Sequence, residues 1–176
     1  MNLDDLEEHA SEVRAAAETC EHCVRVCMAA GCQSSGSGKV LERLNEQLAG
    51  RDDVRVKSVG CMGLCSGGPL VEVRSKGQPA PTLYQKVGEE DVAELAASLG
   101  GAPVQRLACA TDMPFFARQK KVVLELSGLV NPERIEDYIA RDGFTTLLHV
   151  LTESTPAEVV QTLIHSRLRG RGGAGS

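Results

Sequence analysis

Four of the seven cysteines in this 176-residue sequence stand in two close pairs, Cys27-x4-Cys32 and Cys61-x3-Cys65, with 28 residues between the pairs. Each pair lies in a glycine-rich turn after an expected strand: Cys27-Met-Ala-Ala-Gly-Cys32 in one, Gly-Cys61-Met-Gly-Leu-Cys65-Ser-Gly-Gly-Pro in the other. Four thiolates at one point hold either a [2Fe–2S] cluster or a structural zinc ion. Spacing alone leaves both readings open, beside the plainer one of four buried free thiols. The turns suit a cluster. Gly31, Gly60, Gly63 and Gly67 let backbone N–H groups approach anionic sulfur, and Met62 and Leu64 are placed to keep water away.

The remaining chemistry-bearing residues are less organised. Cys20-Glu-His-Cys23 has the spacing of a redox dithiol, but it precedes the first strand, and buried packing is the plainer reading. Cys109 stands alone and reads as structural. His9, His22, His149 and His165 are scattered, so no acid, base or nucleophile is assigned. Near the end of the sequence, Gly170, Arg171, Gly172, Gly173 and Gly175 fit G-x-G-x-x-G, flanked by Arg167 and Arg169. Without a strand before it and a helix after it, that pattern is only a basic tail or the opening of a phosphate-binding loop.

Local patterns show what must position the cysteine pairs. Leu3, Leu6, Ala10, Val13 and Ala17 follow helical spacing behind an acidic first turn. Residues 23–27 alternate as a strand, and residues 28–38 read as a flexible stretch. A helix follows through Val40, Leu41, Leu44 and Leu48, capped by Ser35 or Ser37 and stopped at Gly50. Val54 and Val56 mark a second strand, 70–73 and 83–87 a hairpin, and 89–99 a closing helix. This β-α-β-β-β-α order behind a leading helix predicts an α/β sandwich of thioredoxin-like type, in which both cysteine turns emerge at the same end.

Gly100-Gly101-Ala102-Pro103 marks a boundary, and the charge changes there: 10 Lys/Arg against 16 Asp/Glu before it, 9 against 8 after it. We expect a domain over 1–100, a linker over 101–114 and a mainly helical segment over 115–176. In that segment Asn131-Pro132 opens a helix that Gly143 closes, residues 144–151 form a short helix, and Thr155-Pro-Ala-Glu158 is a capping box for another.

Composition excludes several classes. Aromatics are 3% of residues and a net charge of -5 gives no electrostatic case for nucleic acid. No apolar run has the length of a membrane span. The acidic N-terminus is unlike a secretory signal, which points to the cytoplasm. An odd number of cysteines in such a chain favours metal, cluster or redox chemistry over disulfides.

Together these motifs resemble the N-terminal part of the NADH-binding flavoprotein (diaphorase) subunit of bidirectional NAD-reducing [NiFe] hydrogenases, a family related to the NADH-oxidising flavoprotein of complex I. The resemblance spans the chain. It rests on the two cysteine turns, on Leu-Tyr-Gln-Lys-Val87, on Pro-Glu-Arg-Ile-Glu-Asp-Tyr-Ile139 and on Leu-Arg-Gly-Arg-Gly-Gly-Ala-Gly175. It implies a thioredoxin-like [2Fe–2S] ferredoxin domain with Cys27, Cys32, Cys61 and Cys65 as ligands, transferring single electrons. It implies other diaphorase and hydrogenase subunits as partners. The glycine loop is similar to the start of the family's FMN loop, which continues with an aromatic residue where Ser176 stands. The sequence therefore reads as a ferredoxin domain plus the beginning of a flavoprotein domain. The FMN and NAD sites and the distal [4Fe–4S] ligands would belong to the full-length protein. The alternatives are the equivalent subunit of an NAD-dependent formate dehydrogenase or an electron-bifurcating hydrogenase, a zinc-stabilised assembly module, and a thiol–disulfide oxidoreductase using Cys20 and Cys23.

Overall fold

In the computed structural model, which describes residues 3–170, the chain begins with helix α1 (Leu3–Glu18) and enters strand β1 (His22–Cys27). Helices α2 (Ala30–Ser34) and α3 (Ser37–Gln47) lead to strand β2 (Val54–Val59). Strands β3 (Val71–Ser75) and β4 (Thr82–Tyr84) form the hairpin, and helix α4 (Val92–Ala97) follows a short 3-10 turn. Beyond residue 100 come strand β5 (Ala108–Cys109) and helices α5 (Pro114–Ala117), α6 (Ile135–Ile139), α7 (Thr145–Glu153) and α8 (Pro156–Ser166).

The five strands make one mixed sheet in the order β2-β1-β3-β4-β5. β1 and β2 are parallel, with Val24 opposite Val56 and Cys27 opposite Val59. A parallel pair needs a crossover connection, which α2 and α3 supply. The pairings of β1 with β3, β3 with β4, and β4 with β5 are antiparallel.

Alternation along the strands sorts the side chains onto two faces. Val24, Val26, Val71 and Tyr84 turn to the face covered by α3 and α4, where Val40, Leu44, Val92 and Leu95 complete the core. Full burial of each of these aliphatic side chains contributes roughly 1.5–3 kcal/mol. The opposite face carries Cys27, Leu70, Leu83 and Cys109 in a second apolar cluster. Arg25 and Glu72, cross-strand neighbours on that face, form an ion pair at 2.6 Å.

Several local features differ from the sequence reading. The stretch 28–38, expected to be flexible, contains α2. The residue before α3 is Gly36 at φ 98°, not a capping serine. Ser37 is fully buried instead, with its hydroxyl donating to the Met28 sulfur at 3.5 Å, so it is not free to cap. The hairpin's second strand ends at Tyr84 instead of 87. Within residues 101–114, Val104 and Leu107 enter the main core and β5 extends the sheet.

The helical segment meets the rest of the chain at two places. Leu6 and Ala10 of α1 are buried against Ile139, Phe144 and Leu148 of the α6–α7 region. Lys57 of β2 pairs with Asp137 of α6 at 2.5 Å. The capping box at Thr155 is present: its hydroxyl accepts from the Glu158 N–H, and its own N–H donates to the Glu158 carboxylate at 2.8 Å. Among the described residues no helix is long and apolar enough to cross a membrane.

Candidate metal centre

Because β1 and β2 run parallel, their C-terminal ends leave the sheet side by side, and each delivers one cysteine pair. Cys27 is the last residue of β1, and its N–H donates to the Leu70 carbonyl at 3.0 Å. The Met28 N–H then donates to the Val59 carbonyl at 2.8 Å, which locks the two strand ends together. Cys32 sits on the single turn of α2, which is tied back by Gln33 Nε2 donating to the Met28 carbonyl at 2.6 Å. Cys61 follows β2, and Cys65 opens a 3-10 turn, Cys65–Gly67. That turn is held from just beyond β4 by the Lys86 N–H donating to the Gly67 carbonyl at 2.7 Å.

The two pairs meet. Cys32 stands near enough to Cys27, and Cys65 near enough to Cys61, for each thiol to be raised by its neighbour, and Cys65 also acts electrostatically on Cys32. A Cβ placed on Gly31 would stand 3.5 Å from the Cys65 sulfur. One placed on Gly68 would stand 3.1 Å from the Cys32 sulfur, so a side chain there would crowd the site. Gly63, at φ 97°, adopts a conformation that other residues rarely accept, and its N–H donates to the Cys61 sulfur at 3.3 Å. Cys27 and Cys32 are buried, Cys61 is half-buried and Cys65 is exposed.

The electrostatics of the cluster follow from this crowding. Burial first, then the hydrogen bond to Cys27, push the Cys32 thiol up to about 11. At Cys65, repulsion by Cys61 is the largest influence, followed by their hydrogen bond, and the thiol is again raised. Neighbouring thiolates repel one another, and a metal cation among them removes that penalty by deprotonating them outright. The donor set fits a cluster that takes two thiolates on each side. Among the described residues, no three His, Cys, Asp or Glu side chains are drawn together closely enough to hold a metal ion of any kind.

The other sequence candidates lie apart from this convergence or behind it. Met62 and Leu64 are partly buried against Cys27 and Cys32, where the sequence placed them. Cys109, on β5, belongs to the same apolar cluster and stands opposite Leu83. Sequence reasoning had no route to that position, because a two-residue strand has no periodicity. Cys23 is on β1 between Arg55 and Arg74, and Cys20 precedes the strand. His22 shares a hydrogen bond of 2.8 Å with Ser75 at the far end of the sheet, while His9 and His149 lie beside surface glutamates. Of the glycine loop, Gly170 is exposed after α8, and Arg171, Gly172, Gly173 and Gly175 lie outside the described residues.

Residues 15–100 match the thioredoxin-like [2Fe–2S] ferredoxin family. The chain is 37% identical over 81 residues to the ferredoxin, 2Fe-2S, of Clostridium pasteurianum, covering 43% of this chain and 76% of that protein. It is 50% identical over 58 residues to the NADP-reducing hydrogenase subunit HndC of Solidesulfovibrio fructosivorans, covering 33% of this chain and only 12% of the subunit. Among solved structures, the thioredoxin-like [2Fe–2S] ferredoxin from Aquifex aeolicus is 28% identical. It aligns over 52% of this chain and 98% of its own, with a TM-score of 0.45. The chain belongs to the thioredoxin-like [2Fe–2S] ferredoxin family.

Proposed function

We propose that Cys27, Cys32, Cys61 and Cys65 hold a [2Fe–2S] cluster that passes single electrons within the diaphorase module of a hydrogenase complex. The observation that carries this reading is the meeting of the two thiol pairs, with Gly31 of the first turn packed against the Cys65 sulfur of the second. When bound, such a cluster supplies one-electron exchange. The chain's own residues orient and shelter it. Cys27 and Cys32 lie on the buried side, with Leu70, Leu83, Met62 and Leu64 excluding water. The Gly63 N–H is aimed at sulfur, and the exposed Cys65 turn forms the open edge where a redox partner can approach. No side chain is asked to move a proton.

The likeness to the hydrogenase subunit supports a place in a hydrogenase complex. The resemblance of Gly170–Gly175 to an FMN loop supports a parent protein in which flavin and nicotinamide sites follow. NAD as the terminal partner, the neighbouring diaphorase and hydrogenase subunits and a cytoplasmic location belong to the same reading.

The test is metal analysis and EPR of anaerobically prepared protein. The expected result is two irons per chain and a reduced-state [2Fe–2S] signal. Cys27→Ser and Cys61→Ser should each abolish or alter that signal. A colourless, zinc-containing preparation would sink the proposal.

A further inference from the structure

The loop that carries Cys61 is gripped by residues well beyond the family-matched stretch of 15–100. The Gly60 N–H donates to the Val130 carbonyl at 2.9 Å. The Ser127 hydroxyl donates to the Cys61 carbonyl at 2.7 Å, and Asn131 Nδ2 donates to the Ser58 hydroxyl at 2.9 Å. The gripping segment is itself anchored. The Asn131 N–H donates to Asp137 Oδ2 at 2.7 Å, and the same oxygen pairs with Lys57 at 2.5 Å. Asp137 is only 7% exposed, so both partners bind it largely away from water. Lys57, Ser58, Gly60 and Cys61, within five consecutive residues, are each bonded to residues 127–137.

Packing closes the same contact. Gly128, at φ 82°, lies so near the loop that a Cβ there would stand 3.2 Å from Met62 Cγ and 3.5 Å from the Cys61 carbonyl. Fixing the Cys61 carbonyl fixes the peptide plane between Cys61 and Met62. The very next amide, at Gly63, is the donor to the Cys61 sulfur. An N–H group aimed at cluster sulfur favours the more negative, reduced form, so the grip bears on the potential as well as on the fold.

We propose that residues 127–137 brace the second cysteine loop, with Ser127 and Gly128 as positioning residues that set the reduction potential and lifetime of the iron–sulfur centre. This rests on the assignment of Cys61 as a ligand. Ser127→Ala removes one hydroxyl and frees the Cys61 carbonyl. Gly128→Ala pushes on Met62. Gly77→Ala is the control: Gly77 has a comparable φ of 78°, but no atom lies within 4 Å of its missing Cβ.

The 176-residue chain carrying each change is compared with the unchanged chain in three measurements: hydrogen exchange at residues 60–63 before iron loading, an EPR-monitored redox titration, and the rate of iron loss to a chelator. Ser127→Ala and Gly128→Ala should speed exchange at Gly60 and Gly63 and lower the midpoint potential. Iron should leave about ten-fold faster, in the range seen when outer-shell partners of metal ligands are removed. Gly77→Ala should lower overall stability and leave the other readouts unchanged. Parent-like exchange, potential and iron loss in Ser127→Ala overturn the brace, as does an equal effect of Gly77→Ala. A parent chain with no iron centre overturns the cluster assignment itself, and the brace with it.

Discussion

Cys27 and Cys32 lie among Leu70, Leu83 and Cys109, whereas Cys65 faces solvent, so the cysteine site has a dry side and a wet side. The dry side depends on residues that are not ligands. Burial pushes the Cys109 thiol up, which keeps it protonated and poorly reactive. Cys109→Ser places a hydroxyl among apolar neighbours and should cost about 1–3 kcal/mol, read as a lower urea midpoint, while the EPR signal stays as in the parent. Arg25 shares the Cys27 face of β1, is 9% exposed, and has Glu72 as its ion-pair partner at 2.6 Å. Glu72→Gln leaves that guanidinium without its counter-charge. The expected loss is about 1–2 kcal/mol by denaturant unfolding, less than for a fully buried pair because the Glu72 side chain keeps 21% of its exposure.

At the scale of elements, the parallel pairing of β1 and β2 does most to create the site, because it brings two distant turns to one end of the sheet. The valines that drive the pairing were legible as alternation, and so was the helix that crosses between the strands. The helix α2 was not. Five residues, Ala-Gly-Cys-Gln-Ser, are too few to show helical periodicity, and the turn is held by Gln33 reaching back to the Met28 carbonyl. The capping box of α8 was legible because both halves lie within four residues of sequence. Its Thr155 N–H, and then its hydroxyl, hold the Glu158 carboxyl below the ordinary carboxylate value. The folded form therefore takes up that proton less readily than the unfolded form. The stabilisation is complete above the ordinary value near about 4.3 and is lost as pH falls through the lowered one. An acid titration followed by the amide signals of α8 should show its first turn loosening, and Glu158→Gln should remove that pH dependence.

Across the whole molecule, burial is unequal. Val26, Val59 and Val71 are fully withdrawn from solvent, while Leu147 and Leu151 of α7 and Val160, Leu163 and Ile164 of α8 are all at least half exposed. Hydrogen exchange should follow that gradient: amides of α8 exchanging first through local opening, and those of β1 last, near the global unfolding rate. A chain in which α8 is as protected as β1 would contradict this. The sequence by itself determined the two cysteine pairs, the leading helix, the β-α-β unit with its hairpin, and the capping box of α8, whereas the helix expected to open at Asn131-Pro132 begins only at Ile135. All of these are written in spacings of a few residues, where side-chain alternation, turn geometry and capping act. Only the tertiary structure decided that β5 joins the sheet, that Cys109 lines the buried side of the site, and that Ser127 and Asp137 grip the approach to Cys61. Ser127 and Cys61 are 66 residues apart. A hydrogen bond between them leaves no periodic trace in the chain, because it exists only once packing has brought the two segments together.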